Sequence, residues 1–90
     1  MTLIRIYMQD MTSYKTFHKI ADKHFSSYTM YQVRGRFEGI NEDSTVLEYI
    51  TEDEKQGDNA AQAFSNEFCT VFGQECTLIT KASCEARFSQ

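Results

Sequence analysis

Apolar and polar residues alternate near the start of the chain: Ile4, Ile6 and Met8 fall on one side of an extended segment, and Leu3, Arg5 and Tyr7 on the other. Only the first set is uniformly apolar, so Leu3 to Met8 is predicted to be a strand with one face on a core. The period then changes. Tyr14, Phe17, Ala21, His24 and Phe25 recur at three- and four-residue steps after Ser13, which can cap a helix running to about Phe25. Lys15, Lys19 and Lys23 align as a hydrated stripe on that helix.

From Tyr28 to Gly39 the residues Thr29, Tyr31, Val33 and Phe37 favour a second strand, within which Gly35 permits a bulge or a close approach. Asn41 to Ser44 supplies a polar turn, and Thr45 to Thr51 a third strand, so the two strands should form an antiparallel hairpin. The acidic stretch Glu52 to Asp58 is predicted to be a loop. Asp58 or Asn59 would cap a second helix with the apolar stripe Ala60, Phe64, Phe68, Val71 and Phe72, ended by Gly73. Cys76 to Lys81 is the predicted fourth strand, and Ser83 to Phe88 either extends it or adds a short edge strand.

This β-α-β-β-α-β order predicts an α+β, ferredoxin-like fold: one domain over residues 1–90, with a four-stranded antiparallel sheet and both helices on one face. The other face is left without helical cover, although the strands carry Tyr7, Tyr31, Phe37, Leu47 and Tyr49. Aromatic sheet surface of that kind points to a binding or subunit interface.

Size sharpens the expectation. Ninety residues bury only roughly 60 to 65% of the surface an unfolded chain exposes, so oligomerisation is an expected source of stability. The N-terminal segment lacks the basic start and long apolar run of a signal peptide, and no stretch is long enough for a membrane span, so a cytoplasmic protein without a membrane partner is expected. Cys69, Cys76 and Cys84 form an odd set without a CxxC pair, the pattern of reduced thiols. Nine basic against thirteen acidic residues give a net charge of -4, which argues against nucleic-acid binding and suits cationic ligands or basic protein surfaces.

Candidate chemistry is sparse. His18 and His24 project to different sides of one helix, with His24 expected partly buried and His18 exposed, and no metal site is expected. Cys69 lies near a helix C-terminus, where the dipole disfavours a thiolate. No GxGxxG, P-loop or GxSxG is present. The carboxylates remain. Glu48 sits mid-strand between Val46 and Ile50, where it faces solvent or meets a cation in an interface. Glu42 ends the turn between strands, and Glu75 precedes the last strand. Tyr28, Tyr31 and Tyr49 could stack on a purine or fill an interface.

Two segments, YTMYQVRGRFEGINEDSTVLEYI (28–50) and AAQAFSNEFCTVFGQECTLITK (60–81), resemble the small phage S-adenosylmethionine (SAM) lyases, formerly called hydrolases. The likeness lies in an aromatic strand, Gly-x-aromatic-x-Gly, an acidic turn with Glu and Ser, an apolar strand containing Glu, and Gln-Glu-Cys before the last strand. It covers about half the chain, which is shorter than typical members at both termini and before the second helix. The resemblance implies PII-like trimers of ferredoxin-like subunits, a ligand at subunit interfaces, an anti-restriction role in the host cytoplasm, and no cofactor. By position it implies catalytic roles for Glu42 and Tyr31 and places Glu75 at the substrate. Glu48 and Tyr28 are further candidate substrate-binding residues. A non-catalytic binding or inhibitor protein, using the open sheet on a host protein or small ligand, fits the same size and charge.

Overall fold

The computed structural model describes residues 1–75 and 77–89. The elements are β1 (Thr2–Gln9), α1 (Tyr14–His24), β2 (Thr29–Phe37), β3 (Ile40–Thr51), α2 (Glu54–Phe72) and β4 (Leu78–Ser83). The four strands form one antiparallel sheet in the order β2-β3-β1-β4, the arrangement expected of a ferredoxin-like fold.

Alternation in β1 does what the sequence predicts: Ile4, Ile6 and Met8 are buried, and Leu3, Arg5 and Tyr7 are half-buried on the opposite face. Register carries that split across the sheet. Ile4 faces Tyr49, Ile6 faces Leu47 and Met8 faces Thr45, which places these residues under the helices. Arg5 faces Glu48 and Tyr7 faces Val46 on the open side. Leu47 and Tyr49 therefore belong to the covered face, and only Tyr7, Tyr31 and Phe37 of the expected aromatic set share the open one.

Helix α1 starts where Ser13 caps it, the Ser13 hydroxyl accepting from the Thr16 amide at 3.2 Å. Its buried stripe is Phe17, Ile20 and Ala21. Helix α2 begins at Glu54 with Asp53 as its cap, inside the segment predicted to be an acidic loop. The Asp53 carboxylate accepts from the Gln56 amide at 3.0 Å, satisfying an otherwise orphaned donor. Gly57, expected to mark a loop, is buried within α2, because a Cβ there would stand 2.6 Å from Thr51 Cγ2. The inward stripe is Gly57, Ala61, Phe64, Ser65 and Phe68, while Val71 is exposed. Gly73 ends the helix at φ 68°, in the left-handed region.

The β2–β3 hairpin reverses at Glu38 (φ 49°) and Gly39 (φ 79°), so Asn41 to Ser44 are strand residues and not the turn. Gly35 pairs regularly with Glu42 and makes no bulge; a Cβ there would be in ordinary contact, 3.8 Å from the Glu42 carbonyl oxygen. Strand β4 extends to Ser83, and 84–89 continue outside regular structure, tied at the start by the Cys84 amide donating to the Met1 carbonyl at 2.9 Å. The predicted strand start at Cys76 lies outside the described residues.

A single cluster joins the layers. Phe17, Ile20, Ala21 and Phe25 meet Ala61, Phe64 and Phe68 over Ile4, Ile6, Met8 and Leu47. Among the described residues no helix is long and apolar enough to cross a membrane.

Candidate functional site

The helix-free face holds a polar centre on the two inner strands. Arg5 Nε donates to Glu48 Oε2 at 3.2 Å across the β1–β3 pair. Glu48 raises the Arg5 pKa above its ordinary value, and hydrogen bonding to Tyr31 adds to the effect. Both side chains keep solvent contact, 40% for Arg5 and 26% for Glu48, so a ligand can reach them. The cation that Glu48 meets is thus in its own chain. One step along, Tyr31, Val46 and Tyr7 form a row across β2, β3 and β1, and the flanking tyrosines leave Val46 without exposure.

At one end of this face lies a groove of about 840 Å³. Its floor comes from Leu3, from Glu48 and Ile50 of β3 and from Glu52 just beyond that strand; Tyr28 and Thr29 form one side, and Ala86, Arg87 and Phe88 of the tail the other. Apolar walls with a few polar groups are the usual makeup of a small-molecule site. Phe88 at the rim is fully exposed.

Tyr28 is held rigidly there. Its hydroxyl donates to Asp22 Oδ1 at 2.9 Å and lies 2.6 Å from His18 Nδ1, so a protonated Nδ1 satisfies both contacts. Burial, followed by the Asp22 contact, pushes its pKa up to about 12. His18 is accordingly half-buried, stacked on Tyr28, and not the exposed residue expected from the sequence. His24 is half-buried as expected, with Nε2 2.8 Å from Glu67 Oε1. The Tyr49 hydroxyl donates to the Gly57 carbonyl at 2.5 Å and its ring packs on Phe25, so it braces the core.

The five candidate residues fall into two groups. Tyr28 and Glu48 line the groove, and Tyr31 stands beside the Arg5–Glu48 pair. Glu42 lies toward the hairpin tip opposite Gly35, exposed. At about 3.3 Å per strand residue, the six positions from Glu42 to Glu48 span about 20 Å. Glu75 is exposed in the segment between α2 and β4, at the end of the sheet where Gln74 contacts Gln9. One chain therefore gathers Tyr28, Tyr31 and Glu48 and holds Glu42 and Glu75 apart from them. Sequence reasoning missed Arg5, Glu52, Arg87 and Phe88. For Arg5 the signal was present, as the one charge on the outer face of a strand whose inner face is wholly apolar. The tail residues carried none.

No protein family matches the sequence, and no curated protein does. Solved structures do. A phage SAM lyase in complex with S-methyl-5'-thioadenosine matches with a TM-score of 0.67 at 16% identity, over 90% of this chain and 79% of the other. A phage SAM lyase in its apo state matches with a TM-score of 0.62, also at 16% identity, over 90% and 78%. The chain has the fold of the phage SAM lyases. A de novo designed protein, Foldit4, shares the architecture at a TM-score of 0.50 and 11% identity over 93% of this chain, so the fold by itself implies no activity.

Proposed function

We propose that this chain is a SAM lyase that releases S-methyl-5'-thioadenosine and homoserine lactone at a site completed between subunits. The observation that carries the reading is the shared fold over 90% of the chain with phage SAM lyases, one of them holding that thioether product. The two sequence segments resembling that family point the same way.

The reaction asks little of the protein's acids and bases. An oxygen of the substrate's own carboxylate attacks Cγ, the Cγ–S bond breaks, and its electron pair returns to sulfur. A five-membered lactone and a neutral thioether leave, and no proton is transferred. Carboxylate and sulfonium annihilate each other's charge, so an apolar, water-poor pocket favours the transition state over the separated charges. Folding the substrate into the attacking conformation supplies the remaining advantage. In this reading Glu42 and Glu75 hold the ammonium and ribose hydroxyls, Tyr31 shapes the pocket near the sulfonium, and Glu48 and Tyr28 contribute to binding.

Glu42→Gln is expected to lower turnover of SAM about 10- to 100-fold, the range for one charge-assisted contact. Unchanged turnover would remove Glu42 from the site. The exposed apolar side chains Phe37, Ile40 and Phe88 favour a second reading, a non-catalytic protein that uses this face to bind another protein. Such a protein would leave SAM intact.

A further inference from the structure

Tyr28 stands where α1, β2 and the groove meet. It is the last residue before β2, and Thr29 beside it pairs with Glu48 of the groove floor. The Tyr28 ring packs edge-on against Phe17 and Phe25, with centroids 6.2 and 6.3 Å away. Those contacts need only an aromatic ring, and phenylalanine would make them as well. They leave the hydroxyl unexplained.

That hydroxyl lies between two side chains of α1. Asp22 Oδ1 accepts from it at 2.9 Å, and His18 Nδ1 lies 2.6 Å away. A phenol has one proton, so with that proton directed at Asp22 the contact to His18 is satisfied by a hydrogen on Nδ1. His18 and Asp22 are four residues apart on one helix, the spacing that sets side chains beside each other. The imidazole also stacks on the phenol at 27°, with centroids 5.8 Å apart. The ring is thereby held across its face by the imidazole and at its tip by two polar groups. Tyr28 lines the groove, whereas His18 and Asp22 do not. Among the described residues the Asp22 carboxylate has no other hydrogen-bond or ion-pair partner.

We propose that His18 and Asp22 are positioning residues for substrate binding, which act through the Tyr28 hydroxyl to fix the ring that walls the groove and the start of β2 opposite Glu48. Which substrate they serve rests on the lyase reading; the hold on Tyr28 does not. A wall fixed before the ligand arrives has less freedom to lose on binding. It grips substrate and transition state alike, so loosening it weakens binding without slowing the chemical step.

Steady-state turnover of SAM by the full chain tests this. His18→Ala and Asp22→Ala should each raise KM about 10-fold, with kcat changed less than about twofold. Asp22→Asn keeps an acceptor oxygen and His18→Asn sets an amide N–H near the place of Nδ1, so both should return KM to within about threefold of wild type. A residue that only held the fold would instead lower the active fraction, which reads as a smaller kcat at unchanged KM. Unchanged KM in both alanine variants would overturn the proposal, and so would a loss confined to kcat. An ultraviolet titration reads the contact without turnover. Burial first and Asp22 second push the Tyr28 phenol up to about 12 from 10.0, so Asp22→Ala should bring one late-ionising tyrosine back toward its ordinary value. A titration identical to that of the wild type would overturn the proposal alone. Intact SAM beside a shifted titration would overturn the lyase reading alone.

Discussion

Gly57 sits in the middle of α2, where glycine ordinarily costs about 1 kcal/mol relative to alanine. Here the preference inverts, because an added Cβ would meet Thr51 Cγ2 at 2.6 Å and Ile4 Cδ1 at 3.0 Å. Gly57→Ala should therefore destabilise by about 1 to 3 kcal/mol, read from urea unfolding. Two tyrosines give a pH signature. Burial foremost pushes Tyr28 and Tyr49 up to about 12 from 10.0. A phenol whose folded pKa is raised stabilises fully below its unfolded pKa and loses that contribution as pH rises through the folded value. Stability should thus fall between about pH 10 and pH 12, with two tyrosines ionising late in an ultraviolet titration. Glu67 has the opposite sign. Lys23 at 2.5 Å and His24 at 2.8 Å hold its carboxylate below its ordinary 4.5, so its contribution is present above pH 4.5 and disappears in more acidic solution. Glu67→Gln should flatten the acid limb of a stability profile.

At the scale of elements, the caps and the β2–β3 hairpin are the parts most open to test. Asp53→Ala should cost about 1 kcal/mol, the usual loss of an N-cap. Amides of 34–43 should exchange faster than those of β1, because the end of the hairpin has no third strand beside it. Strand and helix identity was readable wherever one period dominated, as in β1 and in the Phe17–Ala21 stripe. It failed where local chemistry misled. Glu52 to Asp58 is acidic and contains glycine, which suggests a loop, but Asp53 is a cap and the glycine makes room for Thr51. The turn was placed at Asn41–Ser44 because those residues are polar; the reversal instead uses positive φ at Glu38 and Gly39, the requirement of a tight hairpin. Glu38 is an uncommon residue for that conformation, so residue type alone does not mark the reversal.

For the whole molecule, the open face joins the observations. Ile4, Ile6, Met8 and Leu47 are buried under the helices within one chain, while Arg5, Glu48 and Tyr31 form a centre on the other side with an apolar groove at one end and the β2–β3 hairpin at the other. Strand parity was enough to set Glu48 on one face with Val46 and Ile50, but not to place Tyr28, which precedes β2. Nor could it show the separation of Tyr28, Tyr31 and Glu48 from Glu42 and Glu75, because distance along a strand becomes distance in space only once the register and the hairpin's true turn are known. The proposed chemistry needs those two groups brought together with water excluded.

The most direct measurement is to incubate the purified protein with SAM and follow the products by chromatography. The lyase reading predicts S-methyl-5'-thioadenosine and homoserine lactone in equal amounts, and intact SAM after prolonged incubation with the folded protein would contradict it.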